Sequence, residues 1–308
     1  MYRGELRGEF IRLARGHFIG TSVYEDLDED EKEVVRIAAH ACCAPTTLVV
    51  GRSAALLWEL PVVDEPEKRA TRKVELGAVG GRTSSSGALR YRSLHRVHED
   101  GAETTDTDFG SLRLTDVLTT ALDLARWSSL RDSVRSLDLG LQTGQFTFAD
   151  MDTRVAEMAG VKGISSIRQA ARLASEGSES PAETDAKLLF RELGIPRPLQ
   201  QVVLTGRRGS RIGRVDYFFP DHGLVLEIDG DVKYSLIDPG DNSIRLKECR
   251  QTLEYLRNGL RLMRFSCVDL ETGLASETIG AFFSADAAPG LAYPGHLWRA
   301  EGGPAWRD

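Results

Sequence analysis

The sequence predicts a mixed α/β (α+β) protein of two domains: a mostly helical first part, then a second part running α-β-β-β-α-β. Three observations carry this. The 308 residues exceed one ordinary domain. Residues 174–182 (ASEGSESPA) are polar and contain Gly, Ser and Pro, the composition of a linker. After them, apolar residues recur with helical and strand periods in turn. The first domain is thus placed at residues 1–173 and the second at 183–285. Residues 286–308, rich in Gly and Pro, are expected to be a poorly ordered tail.

In the first domain, residues 10–19 (FIRLARGHFI) read as a hairpin turning at Arg15-Gly16. A helix over 31–43 is stopped by Pro45, and a second over 53–60 has Ser53 as N-cap and Pro61 beyond its end. Residues 77–87 (GAVGGRTSSSG) read as a flexible loop. They have neither GxGxxG spacing nor the Lys-Ser/Thr of a phosphate loop, so no nucleotide site is read there. Residues 89–97 alternate as a strand. Thr115 caps a helix reaching Trp127, and helical patterns continue over 129–140, 148–159 and 164–175.

In the second domain, residues 183–193 form a helix with Ala186, Leu189, Phe190 and Leu193 on one side. A strand covers 200–204, and 214–219 with 224–229 form a hairpin. A helix over 244–258 carries Leu246, Cys249, Leu253 and Leu256 on its apolar side and is ended by Gly259; a strand follows over 260–266.

Composition narrows the class. A content of 41% hydrophobic and 28% charged residues is that of a soluble globular chain. Arg52 and Glu59 interrupt the most apolar stretch, 48–63, short of the roughly 18 residues of a spanning helix. The start, MYRGELR, has no signal-peptide core, so the expectation is a cytoplasmic protein without membrane partners. Cys42, Cys43, Cys249 and Cys267 form no CxxC pair and are expected as buried small hydrophobes. A net charge of −7 argues against wholesale coating of nucleic acid. Residues 25–33 (EDLDEDEKE) are strongly acidic. Arg207, Arg208, Arg211 and Arg214, then Arg245, Lys247 and Arg250, confine any DNA surface to the last third; the alternative is a solvated basic face.

The chemistry centres on residues 214–234 (RVDYFFPDHGLVLEIDGDVKY). Pro220 and Gly223 set a four-residue turn. Counting outward, Phe219 faces Leu224, Phe218 faces Val225, Tyr217 faces Leu226 and Asp216 faces Glu227. Asp229, two residues on, shares the face of Glu227. Three carboxylates crowded together repel, and a divalent cation with hard oxygen ligands relieves this. The competing reading is an exposed polar face with a Lys or Arg partner. His95 and His98, three apart in a strand-like run, point to opposite faces and read as structural. The absence of GxSxG and HExxH disfavours serine hydrolase and zinc protease readings.

These residues resemble the PD-(D/E)XK nuclease superfamily, and more narrowly an actinobacterial endonuclease-like group related to the very-short-patch repair endonucleases. The stretch resembles R-x-D-F-x-W…E-F-D-G-x-x-K-Y after a helix beginning G-E-S, here Ala182-Glu183-Thr184. Gly259…Arg264-Phe265…Asp269-Leu270 matches the closing segment. Upstream, residues 15–19 (RGHFI), 51–55 (GRSAA), Leu114-Thr115 and 122–126 (LDLAR) resemble AbiEi-family antitoxins of type IV toxin–antitoxin systems. The resemblance covers most of residues 10–270. It implies a restriction-endonuclease-like core in which Asp216, Glu227 and Glu183 bind Mg2+ or Mn2+. Asp229 stands where the superfamily usually has lysine, with Lys233 as substitute, and Gln201 would help place the attacking water or a backbone group. The implied function is metal-dependent DNA phosphodiester hydrolysis. The alternative is a catalytically inactive nuclease-fold regulator that binds DNA or a cognate toxin.

Overall fold

The computed structural model describes residues 8–63, 65–107, 110–229, 243–284 and 292–307. The architecture is mixed α/β and divides into two compact units: Met1–Ser136 with Gln145–Ala171, and Leu137–Gly144 with Arg172–Asp308. No helix among the described residues is long and apolar enough to cross a membrane.

The first unit opens with β1 (Phe10–Ala14) and β2 (His17–Gly20), an antiparallel hairpin turning at Arg15-Gly16 as expected. Helices α1 (Thr21–Asp26) and α2 (Glu29–Cys42) follow. Asp28 and Glu31 form a reciprocal capping box that fixes the start of α2. The acidic segment is therefore largely a helix entrance, where negative charge meets the positive end of the helix dipole.

The first part carries more sheet than the expectation of a mostly helical domain allows for. The unit contains β3 (Leu48–Val49), β4 (Val74–Val79), β5 (Ser84–Ser86), β6 (Leu89–Leu94), β7 (Ala102–Thr107) and β8 (Gly110–Thr115). They form one sheet ordered β5-β6-β4-β3-β8-β7. The stretch read as a flexible loop supplies the end of β4 and all of β5. Between β3 and β4 lies α3 (Gly51–Leu57), with Ser53 inside it rather than at its cap: the Ser53 hydroxyl accepts the Glu75 N–H at 2.9 Å. Helix α4 (Arg96–Asp100) replaces the end of the expected strand. His95 and His98 therefore lie at N-cap and N3 of one helix, not on opposite faces of a strand. Asp116, not Thr115, caps α5 (Val117–Trp127) by accepting the Thr119 N–H at 2.8 Å. Helices α6 (Leu130–Gln142), whose residues from Leu137 on count with the second unit, α7 (Phe148–Glu157) and α8 (Ile164–Leu173) follow. Ile37, Val74, Leu76, Leu112 and Leu114 form the core beneath the sheet.

The second unit runs α9 (Pro181–Glu192), β9 (Leu199–Thr205), β10 (Arg211–Phe219), β11 (Leu224–Asp229), α10 (Ser243–Arg257) and β12 (Arg261–Ser266), the expected order. Helices α11 (Cys267–Thr272) and α12 (Leu274–Ser284) come next, then β13 (Trp298–Ala300). The sheet order is β12-β11-β10-β9-β13, with β11 and β12 parallel and the other pairs antiparallel. Pro220–His222 make a single 3-10 turn, and Gly223 closes it at φ 53, the left-handed conformation that favours glycine. Val202, Leu204, Phe218, Val225 and Tyr255 belong to the core.

Three expectations fail here for identifiable reasons. Residues 292–307 are not a loose tail: β13 pairs with β9, and Tyr293, Leu297, Ala305 and Trp306 are buried, so aromatic anchors outweigh the Gly/Pro content. Residues 174–182 are not a solvated linker, since Ala174, Ser175 and Ser178 are buried. On α10, Leu246, Cys249, Leu253 and Leu256 are exposed, and the helix buries Tyr255 instead. None of the four cysteines is fully buried.

Candidate functional site

The turn at Pro220–Gly223 sets the hairpin register. Tyr217 pairs with Leu226, Phe218 with Val225 and Phe219 with Leu224, as the residue count predicts. The ladder stops there. Asp216 does not simply face Glu227; its Oδ2 accepts the Ile228 N–H at 2.8 Å. On the other side of β10, Val215 pairs with Val202 and Tyr217 with Gln200. Gln201 therefore stands level with Asp216 between two paired positions. It adopts φ 49, a conformation that non-glycine residues rarely occupy.

Glu183 is brought to this point by α9. Ser180 caps the helix by accepting the Glu183 N–H at 3.2 Å, and Glu183 occupies the third helical position. Its carboxylate accepts from the Glu179 N–H at 3.0 Å, the Ser180 hydroxyl at 3.1 Å and the Gln201 side-chain amide at 2.9 Å. These neutral donors and the helix dipole favour the charged form. Burial and the neighbouring Asp216 charge outweigh them, and the Glu183 carboxyl is pushed up to about 7. Glu183 is thus a buried acid, within electrostatic reach of Asp216, that holds its proton near neutrality.

Glu227 is treated differently. On β12, Arg264 lies level with it, and its guanidinium donates to Glu227 Oε2 at 2.5 and 3.1 Å and lies 3.5 Å from Asp229 Oδ2. The Tyr255 hydroxyl donates to Glu227 Oε1 at 3.0 Å, and burial with the Glu227 charge holds that phenol far above its usual range. Among the described residues, no group of three His, Cys, Asp or Glu side chains is placed to hold a metal ion.

A second cluster backs the first. One helical turn after Glu183, the fully buried Lys187 donates to Asp138 at 2.6 and 2.7 Å and to the Ser175 hydroxyl at 2.7 Å. Thr184 Oγ1 and the Ser175 N–H also donate to Asp138, at 2.7 and 2.8 Å. Burial lowers the Lys187 ammonium despite the facing carboxylate. The Tyr217 hydroxyl donates to the Glu183 carbonyl at 2.6 Å and so pins the first turn of α9. Sequence reasoning missed Asp138 and Lys187, whose partnership spans 49 residues. The available signal was Lys187 within the apolar face of Ala186 and Phe190.

The basic residues are dispersed. Arg207 and Arg208 are exposed between β9 and β10, and Arg211 begins β10. Arg214 forms ion pairs with Glu179 and Glu301. Arg245, Lys247 and Arg250 lie on α10, with Arg250 exposed. Lys233 lies outside the described residues.

No family model matches the chain. It is 30% identical over 110 residues to two uncharacterized Mycobacterium tuberculosis proteins, Rv2248 of strain H37Rv and MT2308 of strain CDC 1551. The match covers 36% of this chain and 40% of each relative, so the chain spans about two fifths of the length of the curated relatives it matches.

Proposed function

We propose that the second unit is a metal-dependent nuclease-like domain that hydrolyses DNA phosphodiesters. The observation that carries the reading is the Glu183–Asp216 juxtaposition at the strained Gln201, in a unit whose elements run α-β-β-β-α-β. Backbone strain and adjacent like charges cost stability and concentrate at working sites.

The donor set fits a hard divalent cation at Glu183 and Asp216, because carboxylate oxygens are what Mg2+ and Mn2+ prefer and a cation would relieve their repulsion. Glu227 fits less directly, since Arg264 and Tyr255 already engage it. A bound ion would supply Lewis-acid activation of water and phosphate. Within the chain, Gln201 fixes Glu183 Oε2, and the Ile228 N–H orients Asp216. Arg264 positions Glu227 and brings a permanent positive charge to the strand end where phosphate would dock.

Nicking of supercoiled plasmid with Mg2+ or Mn2+ tests this. Cutting by the wild type, lost on adding EDTA and reduced at least about a hundredfold in Asp216→Ala, is the expected result. A second reading, an inactive nuclease-fold regulator binding DNA or a toxin, is favoured by Asp229 in place of lysine and by the Arg264 clamp on both acids. DNA retention without cutting under any metal would select it.

A further inference from the structure

We infer that the first unit carries a binding site for a nucleoside phosphate, in a cavity of about 530 Å3 lined by Arg92, Leu94, His95, Arg126, Trp127 and Lys162. This volume lies within the range of small-molecule pockets, roughly 300–1,000 Å3. The reading is independent of any activity in the second unit.

The cavity wall is built around an indole ring and two anchored guanidiniums. Arg126 lies over Trp127 at 3.8 Å from the ring centroid, and Arg92 lies at 5.1 Å. Each arginine is gripped from its buried side. Arg126 Nε donates to Asp123 at 2.7 Å, and its Nη2 lies 2.9 Å from His98 Nε2; Asp123 and His98 are both wholly buried. Arg92 is paired with Glu75, itself buried against the start of α3, where the Arg52 N–H donates to it at 2.9 Å. The acids therefore serve as fixed backing, and the guanidiniums are preorganised at the cavity surface.

Charge and hydrogen-bonding capacity remain for a ligand. Among the described residues, Arg92 Nη1, Trp127 Nε1 and the exposed Lys162 Nζ carry no hydrogen bond. Arg92, Arg126 and Lys162 outnumber the backing acids Glu75 and Asp123. A net positive wall with unused donors suits a phosphate. The cavity is much larger than a bare phosphate needs, and Leu94 and Trp127 give it apolar surface that suits a planar base. His98 and Asp123 have no exposed surface, so they position Arg126 and do not touch the ligand.

Isothermal titration of the full-length protein with AMP, ATP, inorganic phosphate and a short single-stranded oligonucleotide tests the site. AMP or ATP should bind saturably and more tightly than phosphate. Lys162→Glu should weaken that binding at least about tenfold, the effect of losing one charge-assisted hydrogen bond, with the melting temperature unchanged. Trp127→Phe should abolish any ligand-induced change in tryptophan fluorescence. The surface variant is the deciding one, because Arg92→Ala strands the buried Glu75. Absence of nucleotide binding at millimolar concentration, equal affinity for inorganic phosphate, binding of the oligonucleotide alone, or unchanged affinity in Lys162→Glu would each overturn the assignment.

Discussion

In the first unit, Glu75 and Asp123 are buried with Arg92 and Arg126 directly against them. In the second, Asp138 is buried against Lys187, yet Glu183, one turn away on the same helix as that lysine, is buried beside another acid. Three of these four carboxylates have a cation in contact, as buried charges ordinarily do. Glu183 has only neutral donors and a raised proton affinity. The difference separates acids that hold the fold from one whose placement costs the fold something, and this is why the chemistry is sought at Glu183 and Asp216.

The largest effect is expected on removing a matched cation. Lys187→Met leaves Asp138 buried with its remaining hydroxyl and amide donors but no counter-charge. A loss of about 3–5 kcal/mol in urea unfolding is expected; a loss below about 1 kcal/mol would mean that the network carries little of the fold. Gly51→Ala probes the Glu75 network in the other unit. Gly51 holds φ 57, and a Cβ there would collide with a Glu75 carboxylate oxygen. Positive φ and the displaced acid together should cost about 2–3 kcal/mol by thermal or chemical denaturation.

Much of the second unit was legible because its signals are local. Pro220 and Gly223 fixed the turn, and the turn fixed the register of the three pairs beyond it. The count failed at Asp216, where a side chain replaces the backbone ladder, a choice that depends on three strands at once. The motif points to Glu183, but its raised proton affinity comes from burial across the chain. The first unit was less legible. β5 is three serines and β4 carries Gly77, so neither shows strand periodicity, and sheet pairing overrode weak propensity. Spacing alone puts the leucines of α10 in the core, whereas the helix turns Tyr255 inward to reach Glu227. The arginines around Trp127 come from separate elements, and only Arg126 lay in a noted motif.

Glu183→Gln should move stability in the opposite direction. The folded carboxyl sits near 7 and the ordinary value is 4.5. Between those limits the folded state binds more protons than the unfolded state, so the wild type loses stability as pH rises through this window. The amide has no such loss. In metal-free buffer, the variant should gain on the wild type from pH 4.5 to pH 7, by on the order of 2–3 kcal/mol, and the difference should be flat above. A pH-independent difference in denaturation midpoints would remove Glu183 from its special position.

The smallest effect is expected at the exposed basic residues, where two kinds of arginine can be told apart. Arg214 is held by Glu179 and Glu301 at the surface, and Arg214→Ala should change stability by no more than about 1 kcal/mol. Its charge is already balanced, so phosphate binding there would first have to break those pairs. Arg208 is exposed and has no ion pair among the described residues. In a salt titration of DNA retention, Arg208→Ala should lower the slope of log affinity against log salt by about one, the loss of one phosphate contact, while Arg214→Ala leaves it unchanged. Equal slopes in the two variants would show that the acids around Arg214 do not withhold it from DNA, and the basic run would then act as one surface.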